Sequence, residues 1–319
     1  MEKMLKVSSS PHAHASHTTQ SIMLDVIIAL IPTLFAATYI YGLRALLLTI
    51  ISVVSCVGFE WLWEKIFKRP VTIKDLSAVV TGLLLAYNVP ANAPVFVVIV
   101  GAFVAIILAK QVFGGLGQNF INPALAARAF LLSAYSTDMR SFMLPVPGKL
   151  IITDAITGAT PLELMKNGMT DELPSFVDVF LGNIGGCIGE VSALALLLGA
   201  IYLLAKKVIS WHIPTFYIGT VFLLTFLLNG FNVSKSFYSL FLGGLMIGAF
   251  YMATDYTTSP MTRRGQIIFA IGAGVITTVI RLYGGYPEGV SYSILFMNLF
   301  VPLIDKYIGV KRFGEGAKA

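Results

Sequence analysis

Residues 22–63 read IMLDVIIALIPTLFAATYIYGLRALLLTIISVVSCVGFEWLW, two apolar runs hinged at Gly42 and carrying only Asp25, Arg44 and Glu60 as charges. A helix needs roughly 20 apolar residues to cross the hydrocarbon core of a bilayer. Each run has that length, so the stretch predicts two transmembrane helices joined by a tight turn. Similar runs recur outward from it, at 76–88, 94–112, 122–135, 185–205, 212–229, 237–253, 266–283 and 290–304. With 22–41 and 43–63 they make about ten spans. Only 12% of the 319 residues are charged, against about a quarter in soluble domains, too few to cover a water-facing surface. The expected fold class is all-α, a polytopic membrane protein of about ten transmembrane helices.

The organisation expected is an N-terminal segment at 1–21, a transmembrane domain at 22–304, and a C-terminal tail at 305–319. No cleavable signal peptide is expected, because the first 21 residues are polar and the first apolar run already spans. The third and fifth runs are short, and they are flanked by Asn88-Val89-Pro90 and by Gly114-Gly115-Leu116-Gly117. Short runs with such flanks predict discontinuous helices whose irregular ends line a cavity.

Lysine and arginine placement orients the chain. With ten crossings and a cytoplasmic N-terminus, the inner segments hold fifteen basic residues and the outer ones five, while Arg128 and Arg281 fall within spans. Both termini are therefore expected in the cytoplasm, and the loop at 136–184 outside. That loop is acidic, with six carboxylates against three basic residues. Isoleucine, valine, leucine and phenylalanine run throughout it, which predicts a folded lid. The net charge of +6 is spread over pairs and trios of loop residues, so nucleic acid is not an expected partner. Cys56 and Cys187 each stand alone in apolar sequence, with neither disulfide framework nor metal spacing.

Phe113-Gly-Gly-Leu-Gly-Gln118 precedes the fifth span and Tyr283-Gly-Gly-Tyr-Pro-Glu288 the tenth, 170 residues apart. Five spans per half is an odd number, so the second half would be inverted relative to the first, a 5+5 repeat with its site near the midplane.

Within the outer loop lies Asp154-Ala155-Ile156-Thr157-Gly158-Ala159-Thr160-Pro161. An acid is followed here by a turn of small residues presenting two hydroxyls, and exposed NH groups at Gly158 and Ala159 would suit an anion such as phosphate. The same pattern also caps helices or closes turns without any ligand, and the residues alone leave both readings open.

The stretch resembles the Asp-x-x-(Ser/Thr)-Gly-Ala-Thr flavinylation signature. GGLGQNFINPALAARAFLLSAY within 111–135, FYMATDYTTSPMTRRG at 250–265 and YGGYPEGVSYSILFMNLFVPLID at 283–305 resemble the core of the RnfD and NqrB subunit family, as does the opening SSSPHAHASHTTQSIMLDVIIALIP. The resemblance covers nearly the whole chain, and the compact N-terminus is similar to the RnfD branch. It implies a subunit of a complex that couples electron flow between ferredoxin and NAD to pumping of sodium ions or protons. By the same resemblance, Thr160 would carry FMN through a phosphoester, and Asp154, Thr157, Gly158 and Ala159 would form the recognition turn for a flavin transferase. Thr157 stands where the family commonly has serine. A second, noncovalent flavin, riboflavin, is implied in the membrane part without assigned residues. Implied partners are the other Rnf subunits (RnfA, RnfB, RnfC, RnfE and RnfG), the flavin transferase and membrane lipid, in a bacterial or archaeal cytoplasmic membrane.

Asp25, Glu60, Arg128, Glu190, Asp255 and Arg281 fall within or beside apolar spans, where ionisable groups mark ion paths or paired structural sites. Asp255, beside Thr254 and Thr257, is the first candidate for handling a cation, followed by Glu60 and Asp25, which lie near enough to interfaces to snorkel or to pair with loop lysines. Arg128 and Arg281 read as occupying similar places in the two halves. His12, His14 and His17 suit no single helix face and lack acidic or thiolate helpers, so a docking segment is expected there and no metal site. The alternative function is a channel or secondary transporter for a small solute, argued from the repeat and the short helices alone. A scaffold for partner subunits would leave the Thr160 turn without a role.

Overall fold

The apolar runs fold as helices, and polar residues set where they begin. A computed structural model describes residues 18–151, 156–169, 173–190, 192–285 and 288–308. Helix α1 (Thr19–Tyr41) starts at Thr18, whose side chain and that of Ser21 cap each other's backbone NH groups. After the Gly42 turn comes α2 (Leu43–Ile66), then α3 (Ser77–Tyr87) and α4 (Val95–Phe103), which continues as a π-helix over Val104–Gln111. Asn122 accepts from the NH groups of Ala124 and Leu125 to start α5 (Pro123–Ala134), with Pro123 in the first turn. Three short helices follow: α6 (Ser136–Met139), α7 (Pro161–Lys166) and α8 (Phe176–Leu181). Then come α9 (Ala193–Ala205), α10 (His212–Leu228), α11 (Val233–Leu240) and α12 (Leu245–Ile247) with its π-helical continuation Gly248–Met252. The last two are α13 (Arg263–Tyr283) and α14 (Val290–Ile308). Among the described residues only two isolated β-bridges occur, Pro90 with Cys187 and Met143 with Thr157.

The all-helical, multi-pass reading holds. Three helices (α1, α2 and α13) are long and apolar enough to cross a membrane, and α11 with α12 would make a fourth, bent by 62°. Two span predictions need correction. The run at 237–253 is not one helix, because Gly243 and Gly244 interrupt it with positive φ. The run at 185–205 is helical only from Ala193, since Ile188 and Gly189 spend their NH groups on the carbonyls of Val89 and Tyr87.

Some local geometry recurs between the first and last parts of the chain. Helix α3 begins at Leu76 with φ 65° and ψ 6°, and α12 at Gly244 with φ 65° and ψ 5°, 168 residues on. Tyr87 at the end of α3 donates to the carbonyl of Leu30 on α1 at 2.8 Å, and Tyr251 beyond α12 donates to the carbonyl of Leu196 on α9 at 2.8 Å. Each short helix is thus tied to the first helix of its own half. Helices α1 and α9 pack on each other, as do α5 and α14. At the first crossing a Cβ on Gly199 would stand 1.9 Å from the Ala29 carbonyl oxygen, so only glycine fits.

Candidate functional site

Thr160 is the N-cap of α7, accepts from the Glu163 NH at 3.3 Å, and is 7% exposed. The residues before it run as a short extended segment. The Leu144 NH donates to the Ile156 carbonyl at 2.8 Å and the Gly158 NH to the Phe142 carbonyl at 3.0 Å. The Gly158 NH is therefore not open to an anion, which corrects one element of the sequence reading. Thr157 and Ala159 are exposed, and Asp154 lies outside the described residues.

Thr160 borders a small cavity together with Pro161, Gly186, Gly243, Glu190 and Glu288. Behind the two carboxylates lies Arg128 of α5, 3% exposed. Its Nη1 donates to Glu190 Oε1 at 3.1 Å and to Asn88 Oδ1; its Nη2 pairs with Glu288 and reaches Cys187 Sγ at 3.6 Å. Cys187, Glu190 and Glu288 bring possible ligand atoms within 4.8 Å of one another, but the guanidinium already supplies the positive charge there. Gly244 is needed on two counts: its φ is 65°, and a Cβ would stand 2.8 Å from Glu190 Oε1. Glu288 also borders a neighbouring cavity of about 120 Å³, with Arg140, Phe142, Glu163 and Tyr292.

A second cavity, about 80 Å³, lies near the other end of α1. Met23 and Val26 line it, whereas Tyr41, at the far end of that helix, bonds the Gly186 carbonyl beside the Thr160 cavity. Its polar wall is Ser77, Lys110, Asn119, Asn122, Asp255 and Thr257. The Asp255 carboxylate accepts from the hydroxyls of Thr257 at 3.0 Å and Thr258 at 3.2 Å. Asn119 donates to Thr257 Oγ1 at 3.1 Å, while its own buried Oδ1 has no partner among the described residues.

Lys110 lies inside the π-helix, 2% exposed, with its Nζ 2.7 Å from both Glu60 Oε1 and Ser77 Oγ. Gln111 adds a bond to the same Glu60 oxygen at 2.8 Å. Glu60, 1% exposed, does not snorkel, and its lysine belongs to a helix and not to a loop. One of the fifteen inner basic residues is thus an internal ion pair. Asp25 accepts from the Tyr202 hydroxyl at 2.7 Å, across the contact between α1 and α9.

Arg281 is not the counterpart of Arg128. It closes α13, where its guanidinium donates to the carbonyls of Ser239 at 2.8 Å, Leu242 at 2.8 Å, Gly243 at 3.0 Å and Glu288 at 3.2 Å. Its counterpart at the end of α4 is the Lys110–Gln111 pair. In both halves a buried cation holds the chain entering the short helix, Ser77 in one and Leu242–Gly243 in the other.

Asn88, Lys110, Cys187 and Glu288 belong to these networks, and the sequence reading did not name them as site residues. Glu288 had a signal, its alignment with Gln118 in the repeated motif. Lys110 had one too, a single charge late in an apolar run.

Apolar helices packed around charged interior cavities define a helical, multi-pass membrane protein with sites inside its bundle. The chain belongs to the NQR2, RnfD, RnfE family, whose model matches residues 6–314. It is 52% identical over 325 residues to the D component of the Na(+)-translocating ferredoxin:NAD(+) oxidoreductase complex of Acetobacterium woodii, covering 100% of this chain and 99% of that protein. It is 43% identical to the D component of the proton-translocating ferredoxin:NAD(+) oxidoreductase complex of Clostridium ljungdahlii, covering 98% and 97%. Identity to the D component of the ion-translocating oxidoreductase complex of Aliivibrio salmonicida is 33%, covering 97% and 98%.

Proposed function

We propose that the chain is the flavin-bearing membrane subunit of a redox-driven ion pump, with FMN joined through its phosphate to Thr160 Oγ1. Full-length similarity to subunits named for ferredoxin:NAD(+) oxidoreductase complexes supports the class. The observation that carries the site is the seating of Thr160, which is fixed as a helix cap beside a small cavity lined by the loop and by Leu242, Gly243 and Glu288. The Thr160 hydroxyl accepts one NH, a bond that an ester oxygen keeps, but the cavity beside it is about 10 Å³ and faced by two carboxylates, so it does not hold the phosphate as it stands. Thr157, Gly158 and Ala159, with Asp154, would be read by the transferase that passes FMN from FAD to the threonine. Bound flavin supplies one- and two-electron exchange, while this chain's residues set its position and exclude water. Hydride chemistry on NAD belongs to another subunit.

The second cavity fits a noncovalent riboflavin in one respect. The unpartnered Asn119 Oδ1 would accept from a ring N–H. Asp255 is the leading ion-path candidate, with Glu60 and Asp25 behind it. The reading includes ten crossings, cytoplasmic termini, an outer loop at 136–184 and the inverted 5+5 arrangement. Partners would be RnfA, RnfB, RnfC, RnfE and RnfG.

The test is ultraviolet fluorescence of the denatured subunit on a gel after co-expression with its flavin transferase. A fluorescent band lost in Thr160→Ala is expected; no band, or one surviving that substitution, sinks the reading. Solute flux through the purified chain alone would favour the transporter alternative. Asp255→Asn should lower ion-dependent turnover of the whole complex, and unchanged coupling would remove Asp255 from the path.

A further inference from the structure

A further cavity, about 310 Å³, opens where α7, α10, α11 and α13 meet. Its charged lining has one sign: Lys166, Lys235 and Arg281, with no carboxylate among the described residues that form it. Glu163, on the same short helix as Lys166, faces the neighbouring cavity instead. Arg281 is buried and its donors are directed at backbone carbonyls, so it contributes a field and not a hydrogen bond. Lys166 and Lys235 are exposed at the rim, and one donor of Lys166 goes to the Gly284 carbonyl. The Asn229 amide adds a neutral donor. A recess lined by cations of one sign concentrates anions.

What lies beside the recess says which anion. Leu282 lines it, and on the same face of α13 follow Val279, Val275, Ile271 and Ile268, all exposed and spaced by three or four residues. Helix α13 is long and apolar enough to span, and Arg281 is in its last turn. The cavity therefore sits where headgroups meet the hydrocarbon, at the end of an apolar stripe that runs into the bilayer. A free anion would use the recess and leave the stripe without a part. A zwitterionic headgroup would bring its own ammonium against the lysines. We infer that this cavity binds the phosphate of an anionic phospholipid, held by Lys235 and Lys166 in the field of Arg281, with an acyl chain along the Leu282–Ile268 face of α13. In the orientation proposed above, the lipid belongs to the outer leaflet. The inference does not depend on Thr160 carrying flavin, although a headgroup held there would tie α7, which Thr160 caps, to α11.

The test is native mass spectrometry of the full chain in detergent, titrated with dioleoylphosphatidylglycerol, with dioleoylphosphatidylcholine or with inorganic phosphate. The phosphatidylglycerol should bind several-fold more tightly than the phosphatidylcholine; equal affinity overturns the inference. Lys166→Gln with Lys235→Gln should weaken phosphatidylglycerol about tenfold or more, the scale of two basic residues at a headgroup. The same pair changed to arginine should keep the lipid. Both lysines are exposed, so these variants leave the packed interior intact. Lys206→Gln with Lys207→Gln, at the end of α9 near the Asp255 cavity, controls for general attraction between a basic protein and an anionic lipid. An equal loss in that pair, or no loss in the first, overturns the inference. Inorganic phosphate that displaces the lipid at equal concentration would assign the recess to a free anion, and that result too overturns the lipid.

Discussion

The two halves solve one problem with different chemistry. Each has a short helix that begins in mid-bundle, and each holds the chain entering it with a cation from the end of the fourth helix. In the first half Lys110 pairs with Glu60 and Ser77. In the second, Arg281 spreads over four backbone carbonyls. The first solution needs a buried anion, and the second only dipoles. A compact ammonium suits a point partner, whereas a planar guanidinium suits a fan of carbonyls. The carboxylates of the second half, Glu190 and Glu288, are thereby left to a different cation, Arg128, beside Thr160.

The largest effect should come from breaking the ion pair. Lys110→Met strands Glu60 in the interior, and loss of one partner of a buried pair costs about 3–5 kcal/mol. Thermal unfolding in detergent should show a clear drop, and Lys110→Met with Glu60→Leu should recover more than half of it. No recovery would mean that the lysine acts through something other than its charge. Arg281→Lys tests the other half. An ammonium carries three donors on one point and cannot match four carbonyls spread around a planar guanidinium, so a loss of about 1–3 kcal/mol is expected from unmet buried acceptors; a neutral result would show that water takes over the fan.

A smaller pair of changes addresses the shared αL caps. Gly244→Ala should cost at least the roughly 1–2 kcal/mol of a left-handed non-glycine residue, plus the contact with Glu190. Leu76→Gly, the reverse experiment, should fall within about 1 kcal/mol of neutral. Equal losses at both positions would mean that the caps are not equivalent. The smallest effect is outside both networks. Asp178 in the loop is held below the usual carboxylate range by hydrogen bonds from the Ser175 hydroxyl and the Asn183 amide. Its contribution is present above the ordinary aspartate pKa and is lost as pH falls through the depressed value. Ser175→Ala should therefore lower stability slightly at neutral pH, and the deficit should shrink in acid to that of the lost helix cap alone. A deficit constant across pH, followed by unfolding at each value, would show that the carboxylate takes no part.

The sequence made the helices legible because apolar runs and caps are local signals. The runs at 22–41 and 43–63 and the short third run announce themselves within a few residues. The interruption at Gly243–Gly244 was harder, since a Gly-Gly pair in an apolar run is compatible with continuous helix until a neighbouring glutamate forbids a side chain. The ion pairs were not legible at all. Glu60 and Lys110 are 50 residues apart, and Arg128 and Glu288 160 apart, so nothing local indicates that they meet. Lys110 in particular reads as an interfacial charge until the fold encloses it. The motif around Thr160 was visible, but the pairing of Gly158 with Phe142 depends on a chain reversal that the motif does not encode.

The tyrosine tethers have a mechanical consequence. Tyr87 and Tyr251 each moor a short helix to the first helix of its own half, and those two first helices touch where Gly199 admits the Ala29 carbonyl. Tyr251 also reaches that carbonyl, at 3.4 Å. One crossing therefore acts as a common axle for both short helices, and a displacement there is delivered to the Thr160 cavity and the Asp255 cavity together. Gly199→Ala, which lines neither, should raise hydrogen exchange around Tyr87 and Tyr251 in parallel; a change at only one would show that the axle is split.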